Sequence, residues 1–301
     1  MAALIGSFDL TDGHVDQMQR EGVIFLEQFF TPKALRMLEA AASTLTVPPD
    51  EERRRSFKRL AYGDGPPSQI VRDLCQSDTF VQSLSRLIGP HQVVTNLLSF
   101  ELTPDKKGEE WHFGRRSFCF IGPDVPAYTL WIPLTPVKER AQGGGLVWVP
   151  QNVWSAHGRI QQWTLFYQML AEGKNNITFA RAQRKQFGVD GDPWAGPFDL
   201  ALLEANKIEQ DFNPGDALLF SRNVWHRTSQ LRSPTLPGRH AIVIRFADGR
   251  AFLDKKIVAG FASVLRPVVD TFTSALLEAD DTKPISEQEF STRFSEMAVS
   301  A

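Results

Sequence analysis

The sequence has little cysteine and no long apolar run. Its two cysteines, Cys75 and Cys119, exclude a disulfide framework and a Cys-x-x-Cys zinc site. No stretch approaches the roughly 18 consecutive apolar residues that a transmembrane helix requires. Residues 1–13 also lack the basic segment with which a secretory signal begins. We therefore expect a soluble, cytoplasmic protein with no membrane partner.

The sequence also lacks an excess of charge of either sign. The chain of 301 residues carries 33 Lys and Arg against 35 Asp and Glu, a formal net charge of −2. Proteins that bind nucleic acid usually present a strongly basic surface, so a nucleic-acid partner is excluded. With so few cysteines, any metal chemistry must use the six histidines and the carboxylates.

The pattern changes from helical to strand-like near residue 92. Residues 1–90 predict helices around one short strand, Val23-Ile24-Phe25-Leu26, and Thr31 is the expected N-cap of the helix that begins at Pro32. Short β-rich runs follow within residues 92–150 and 211–250, separated by Gly, Pro and Asp turns: 93–102, 117–121, 128–134, 145–149, 216–220 and 240–246. Helices followed by strands predict a single α+β domain over residues 1–301, built on a β-sandwich or jelly roll.

Two further segments surround the predicted strands. Residues 155–210 form a long insertion with a helical first half and a loop rich in Gly, Pro and Asp at 188–197. Insertions of this size usually cover a site or an interface, so we expect a lid over the mouth of the barrel. Residues 252–301 predict a polar helical tail. The charged run 48–59 is expected to be a solvated surface, and the Gly/Pro cluster 63–67 a loop.

Two of the six histidines lie in settings typical of a site. His112 stands just before the predicted strand 117–121, and His226 ends an apolar strand that starts at a Pro-Gly-Asp turn. Arg239 follows His226 by thirteen positions and opens the next strand. Two distant histidines and a following arginine suit an iron ion whose acidic cosubstrate is held by a guanidinium. The other histidines lie in ordinary surface or strand settings: His14, His91, His157 and His240.

This arrangement resembles the Fe(II)/2-oxoglutarate-dependent oxygenases, specifically their phytanoyl-CoA dioxygenase-like branch, over residues 15–250. Besides the histidines, matching segments occur in the family's order at 21–26, 129–134 and 143–150. The family's Pro-Gly-Ser-His segment is replaced here by Pro150-Gln151-Asn152-Val153.

The resemblance implies a double-stranded β-helix core with flanking helices, helices packing on one face. It implies that His112 and His226 bind Fe(II), that Arg239 binds the distal carboxylate of 2-oxoglutarate, and that Thr129 helps to position this cosubstrate. The implied function is oxidation, by hydroxylation, of a small apolar natural product in secondary metabolism.

The sequence departs from the family at Gly114. The family's iron triad is His-x-Asp/Glu…His, whereas this chain reads His112-Phe113-Gly114, so the third-ligand position has no carboxylate. One explanation is a halogenase, because Fe(II)/2-oxoglutarate halogenases are similar in carrying Gly or Ala here and place chloride at the vacant position. A second is a catalytically impaired subunit that pairs with an active homologous protein in a heterodimer, or a non-catalytic binding partner.

A third explanation is that another carboxylate completes the site. Glu110 would share a face with His112 if the segment is extended, since side chains alternate along a strand. Asp124 is the other candidate, although its Gly-Pro-Asp setting is typical of a turn. If the rest of the site is intact, we expect Gly114→Asp to tighten iron binding.

Residues beside the motifs are candidates for a substrate pocket. Arg115, followed by Arg116, would attract a chloride or an acidic substrate, or would simply lie at the surface. The aromatic side chains beside the motifs are mostly expected in the core, although one or two could line an apolar pocket: Phe113, Trp131 and Trp225.

Overall fold

The computed structural model describes residues 3–6, 8–44, 59–62, 69–174, 195–265 and 271–294. The predicted loop at 63–67, the charged run 48–58 and the loop at 188–194 lie outside the described residues. The N-terminal part contains helices α1 (Asp12–Glu21), α2 (Pro32–Ser43), α3 (Gln69–Cys75) and α4 (Asp78–Ile88), with strands β1 (Val23–Leu26) and β2 (Arg59–Tyr62) between them. Thr31 caps α2 as predicted, because its side-chain oxygen accepts a hydrogen bond from the Ala34 N–H at 3.3 Å.

Strands dominate the next part of the chain. These are β3 (Gln92–Leu102), β4 (Ala127–Pro133), β5 (Leu146–Val149), β6 (Ile208–Glu209), β7 (Ala217–Ser221), β8 (Trp225–Thr228), β9 (Arg239–Asp248) and β10 (Thr292–Arg293). The remaining helices are α5 (Glu139–Gln142), α6 (His157–Ala171), α7 (Pro197–Ala205), α8 (Lys255–Leu265) and α9 (Thr271–Glu278), with a 3₁₀ turn at Ile285–Glu287.

Two antiparallel sheets face each other. Among the described residues, the larger sheet has seven strands in the order β1-β7-β4-β9-β3-β10, with β2 on β3, and the smaller has the order β6-β5-β8. Apolar side chains from the inner faces fill the space between the sheets, as in a jelly roll: Leu98, Phe100, Trp131, Leu146, Trp148, Leu218, Phe220 and Val243. The predicted α+β jelly-roll class is confirmed.

Helices cover both outer faces, rather than only one as expected. Residues of α1–α4 pack on the outer face of the larger sheet, where Leu38, Leu74 and Leu84 are fully buried against strand residues such as Leu219 and Ile244. Helices α6 and α8 pack on the outer face of the smaller sheet, around Val147. The tail is therefore not simply polar, because α8 buries Ile257, Val258 and Phe261.

The insertion has a different place from the one predicted, as far as it is described. Helix α6 contributes Ile160, Trp163 and Tyr167 to the core behind the smaller sheet instead of covering the barrel mouth. The closeness of α6 and α8 is marked by Gly260, where a β carbon would collide with the Tyr167 backbone. The lid stays a prediction for residues 175–194, which lie outside the described residues.

The predicted strand at 117–121 is wrong. These residues form successive turns at one end of the sandwich, with hydrogen bonds from the Cys119 N–H to the Arg116 carbonyl and from the Ile121 N–H to the Phe118 carbonyl. All of Phe118, Cys119, Phe120 and Ile121 are buried. An unbroken apolar run carries no alternation, so its periodicity cannot distinguish a buried strand from a buried turn.

No helix in the part of the chain that the structure describes is long and apolar enough to cross a membrane.

Candidate metal centre

The two predicted histidines lie side by side. Segment 109–114 runs antiparallel to β8, and His112 and His226 exchange both backbone N–H···O=C hydrogen bonds, each at 2.9 Å. Their imidazole rings are 4.2 Å apart between centroids. The ring of His226 is also 4.7 Å from that of Phe220, on the inner face of the larger sheet. The main chain therefore fixes two imidazoles inside the sandwich.

Hydrogen bonds set the tautomer of both rings. His112 Nδ1 lies 2.7 Å from the Glu110 carbonyl oxygen, and His226 Nδ1 lies 2.9 Å from the Val224 carbonyl oxygen. A carbonyl oxygen can only accept, so each Nδ1 donates a hydrogen and each Nε2 of a neutral ring keeps a lone pair. Metal-binding histidines are commonly oriented in this way. The hydrogen bonds of both Nδ1 atoms leave Nε2 as the ring atom through which either histidine could bind a metal ion.

A carboxylate that the sequence reasoning missed lies beside this pair. Glu109 Oε2 is 3.4 Å from His112 Nε2, and the side chains of His112 and Glu109 are only 12% and 10% exposed. The predicted alternative, Glu110, has an exposed side chain and reaches His112 only through its backbone carbonyl. Segment 109–112 is not a regular strand, so the alternation on which the choice of Glu110 depended does not hold there.

The donor set fits a metal ion only in part. Two imidazoles and a nearby carboxylate are the ligand types of a non-heme iron site. Among the described residues, however, no three His, Cys, Asp or Glu side chains already stand in an arrangement that could hold a metal ion. The side chains as they stand therefore do not form a complete metal site.

There is no room for a carboxylate side chain at position 114. Its N–H donates to the Arg222 carbonyl oxygen at 3.0 Å. A β carbon at Gly114 would lie 2.7 Å from Cβ and 2.8 Å from Cα of Arg222, and 3.0 Å from the Phe118 ring. The space that the side chain of an Asp or Glu at position 114 would need is thus occupied by Arg222 and Phe118.

Arg222 is held firmly in this position. It is 3% exposed, and its guanidinium donates to the Gly122 carbonyl at 2.9 Å and to the Phe118 carbonyl at 3.3 Å. Burial lowers the pKa of Arg222 to about 10, which still leaves the side chain charged near neutral pH. Its bonds to these carbonyls help to fix the turns at 117–121.

Arg239 is a buried cation at the start of β9. It is 7% exposed, and its Nη2 donates to the Gln142 side-chain oxygen at 2.7 Å. Its Nε is buried without a hydrogen-bond partner, and no carboxylate pairs with it among the described residues. Burial lowers the pKa of Arg239. An acidic ligand would supply the missing counter-charge.

Thr129 does not lie beside Arg239. Across the sheet, Thr129 pairs with Arg245 on β9 and with Phe220 on β7. Arg239 is six residues from Arg245, which corresponds to about 20 Å along a strand. Thr129 therefore lies near the level of the Phe220–His226 contact, and Arg245 is a second cation at that level, on the same face of β9 as Arg239. Sequence reasoning had not singled out Arg245, because it lies inside an apolar strand.

Three of the four pocket candidates belong to the core behind the smaller sheet. Trp225 is fully buried and packs edge-on against Phe113 at 4.7 Å, and Arg115 lies 3.8 Å over the Trp163 ring. Only Trp131 faces the interior between the sheets, where it packs against Phe212 at 4.9 Å.

Asp124 lies at a different site from the histidine pair. Its exposed carboxylate is 3.3 Å from His157 Nε2. The two residues line a cavity of about 290 Å³ with Tyr128, Ser221 and Arg222, next to residues of α1. Neither His112 nor His226 lines this cavity, so it does not form part of the candidate metal centre.

No protein-family model and no curated protein matches the sequence. Solved structures match the fold. The non-heme α-ketoglutarate-dependent carbocyclase SnoK from nogalamycin biosynthesis shares 12% identity at a TM-score of 0.59, covering 94% of this chain and 96% of SnoK. The epimerase SnoN, solved with Fe³⁺, α-ketoglutarate and nogalamycin RO, shares 14% identity at a TM-score of 0.53, covering 86% of this chain and 91% of SnoN.

A third similar structure is the apoform of EctD from S. alaskensis. It shares 14% identity at a TM-score of 0.53, covering 84% of this chain and 82% of EctD. Likeness at this identity shows the fold. The phytanoyl-CoA dioxygenase-like branch, the ligand roles and the substrate stay predictions.

Proposed function

We propose that this protein is a non-heme iron, 2-oxoglutarate-dependent enzyme that oxidises a small, apolar natural product. The observation that carries the proposal is the histidine pair: His112 and His226 lie side by side inside a jelly roll, and the Nδ1 atom of each ring is bonded to a backbone carbonyl oxygen. The similar fold of SnoN, solved with Fe³⁺ and α-ketoglutarate, supports the choice of metal and cosubstrate.

The chain's own residues would divide the work as follows. His112 and His226 bind the iron through Nε2. Two cations on β9 are candidates for a carboxylate of 2-oxoglutarate. The buried guanidinium of Arg239 has a neutral amide partner, whereas Arg245 lies at the level of the Phe220–His226 contact and is therefore nearer to the histidine pair. When bound, iron and 2-oxoglutarate would activate O₂: O₂ is the oxidant, and 2-oxoglutarate supplies two electrons as it is converted to succinate and CO₂.

An apolar substrate fits the inner surface of the sandwich. Phe220 touches His226, and the side chains around it on both inner faces are largely apolar, among them Trp131 and Trp148. Such a surface excludes water and binds an apolar molecule by burying its apolar surface area rather than by pairing charges.

The halogenase alternative gains no support from the packing at Gly114. In that alternative, a missing side chain leaves room for a chloride beside the iron. Here the space is taken by Cα and Cβ of Arg222. Arg115, which was expected to attract chloride, lies over Trp163 in the core behind the smaller sheet.

The test is metal-dependent turnover of the cosubstrate. Protein loaded anaerobically with Fe(II) and then given O₂ and 2-oxoglutarate should release succinate and CO₂, and His112→Ala and His226→Ala should abolish this release. His91→Ala is the matched control, because His91 is exposed and lies outside the pair.

Three other results would redirect the proposal. Chloride-dependent release and a chlorinated product would support the halogenase. Absence of iron binding and of turnover would overturn the proposal for the isolated chain. In that case, co-purification with a homologue that carries an intact His-x-Asp motif would identify this chain as the silent subunit of a heterodimer.

A further inference from the structure

The cavity beside Asp124 and His157 lies on the outer face of the larger sheet. Its volume of about 290 Å³ is close to the lower limit of about 300 Å³ for small-molecule sites. Two of its lining residues, Tyr128 and Ser221, pair with each other across β4 and β7. Side chains alternate along a strand, and Phe220 faces the inside of the sandwich, so Ser221 and Tyr128 face outward. The cavity is therefore on the opposite face of this sheet from the histidine pair.

Several polar groups around this cavity lack hydrogen-bond partners. Among the described residues, the Tyr128 hydroxyl makes no hydrogen bond, and the Ser221 hydroxyl only accepts one, from the Asn223 N–H at 3.2 Å. Arg222 Nε, a donor, and the Asn223 side-chain oxygen, an acceptor, are both buried without a partner. All four side chains line the cavity. More than about 90% of buried polar groups in proteins are hydrogen-bonded, so this concentration points to a ligand that carries both acceptors and donors.

The cavity also carries two opposite charges that do not pair with each other. The buried guanidinium of Arg222 donates to the main-chain carbonyls of Gly122 and Phe118. Asp124 is an exposed anion, whose carboxylate lies 3.3 Å from His157 Nε2 and makes no ion pair with Arg222 in the part of the chain that the structure describes. Burial lowers the pKa of Arg222 to about 10 and the charge of Asp124 opposes this shift, so the two groups lie within electrostatic reach of each other. A ligand with one charge of each sign would complement both.

The unused hydroxyls are suited to the negative end of such a ligand. Burial raises the pKa of Tyr128, so its hydroxyl stays protonated near neutral pH and can donate a hydrogen bond. Ser221 can donate as well, and a carboxylate accepts hydrogen bonds at both oxygens. An ammonium group, in contrast, only donates, and the Asp124 carboxylate is an acceptor of opposite charge.

We propose that this cavity binds a free amino acid, with its carboxylate beside Tyr128 and Ser221 and its ammonium group beside Asp124. An amino acid with a short apolar side chain fits best, because apolar side chains also line the cavity: Met18, Leu87 and Val125. The site is independent of the proposed function, since neither His112 nor His226 lines the cavity.

The experiment is titration calorimetry of the full chain, treated with a chelator so that no amino acid binds through a metal. The probes are glycine, L-valine and L-leucine. Isovalerate, which is valine without its amine, and isobutylamine, which is valine without its carboxylate, are the matched half-ligands. We expect L-valine to bind at least about tenfold more tightly than either half-ligand, because each half-ligand lacks one charged, hydrogen-bonded group.

Two variants test the placement of the ligand. Tyr128→Phe removes only the hydroxyl and should weaken binding at least about tenfold, whereas Tyr167→Phe makes the same change in the core behind the smaller sheet and should have no effect on binding. Asp124→Asn should weaken binding about two- to fivefold, because ion pairs of exposed carboxylates contribute little. Asp281→Asn, on an exposed carboxylate outside the cavity, is the matched control.

Three results would overturn this assignment. If none of the three amino acids binds at millimolar concentrations, water alone occupies the cavity. If isovalerate binds as tightly as L-valine, the site recognises an anion and not an amino acid. If Tyr128→Phe and Asp124→Asn both bind L-valine like the wild type, the ligand lies elsewhere. None of these results bears on the release of succinate, so the proposed function is tested separately.

Discussion

Gly114 and Arg222 are packed backbone against backbone. The Gly114 N–H donates to the Arg222 carbonyl at 3.0 Å, and a β carbon at Gly114 would lie 2.7 Å from Cβ of Arg222. Real β carbons essentially never approach other atoms so closely, and one of the two Arg222 atoms in the way is its Cα, which belongs to the backbone. The packing therefore requires glycine at position 114, and a single substitution cannot introduce a carboxylate there without displacing Arg222.

Gly114→Asp is expected to fail as a repair. The new side chain must displace the Arg222 backbone, and overpacking of this kind usually costs about 1–3 kcal/mol. We expect a lower free energy of unfolding and no gain in Fe(II) or Co(II) affinity, which reverses the expectation from sequence alone. Denaturant unfolding and metal titration measure both quantities. Gly158→Asp is the control, because a β carbon at Gly158 meets nothing within 4 Å. Tighter metal binding by Gly114→Asp would show that the Arg222 turn can move aside.

The cosubstrate prediction distinguishes two cations on β9. If Arg239 binds the carboxylate of 2-oxoglutarate, Arg239→Gln should weaken cosubstrate binding to the Co(II)-loaded protein by at least about tenfold, because the positive charge that pairs with the carboxylate is lost. Calorimetry or competition binding gives the dissociation constant. Arg245→Gln is the informative comparison, since Arg245 lies at the level of Thr129 on the same face of the strand. A larger loss with Arg245→Gln than with Arg239→Gln would move the carboxylate site to that level.

Trp225 should act as a core residue rather than as part of a substrate pocket. It is fully buried, with Phe113 at 4.7 Å and Trp154 at 5.1 Å between ring centroids. Trp225→Ala is expected to lower the free energy of unfolding by about 3–5 kcal/mol. Phe198→Ala is the contrast, because Phe198 is 79% exposed and its loss should change stability by less than about 0.5 kcal/mol. Near-native stability of Trp225→Ala would contradict this placement.

Cys75 should make stability depend on alkaline pH. Burial raises the pKa of the Cys75 thiol from 9.0 to about 12, because the thiolate loses its hydration. The unfolded chain releases this proton at lower pH than the folded protein, so the free energy of unfolding should fall as pH rises from about 9 toward 12. Cys75→Ala should show a smaller fall across this window in denaturant titrations at several pH values. Equal slopes would mean that the thiol ionises alike in both states.

The sequence predicted that His112 and His226 lie near strand ends and belong together, and the structure places them side by side. This was possible because patterns of glycine, proline and apolar residues mark the ends of strands. The roles of these histidines and of Arg239 as ligands stay predictions. The contact between Glu109 and His112 could not be predicted in this way. It depends on the approach of Gly108 to Thr228, a long-range packing contact that leaves no local pattern.

The errors in the fold have a similar cause. The run at 117–121 has the composition of a strand, but the Phe118 carbonyl within it and the Gly122 carbonyl just after it accept hydrogen bonds from the side chain of Arg222, which is about a hundred residues away in sequence. Likewise, Phe113 and Arg115 adjoin the motif in sequence but face the other side of the smaller sheet, where α6 supplies Trp163. The side of the sheet on which such a residue packs therefore depends on contacts with residues that are distant in sequence, and the local sequence does not show these contacts.

The reciprocal backbone bonds between His112 and His226 also bear on how this pair tolerates substitution nearby. Main-chain bonds do not depend on the side chains at neighbouring positions. Changes at Glu109 or Glu110 that leave the backbone in place should therefore leave the two imidazole rings side by side. The pairing of the rings is a property of the main chain, and no carboxylate is needed to maintain it.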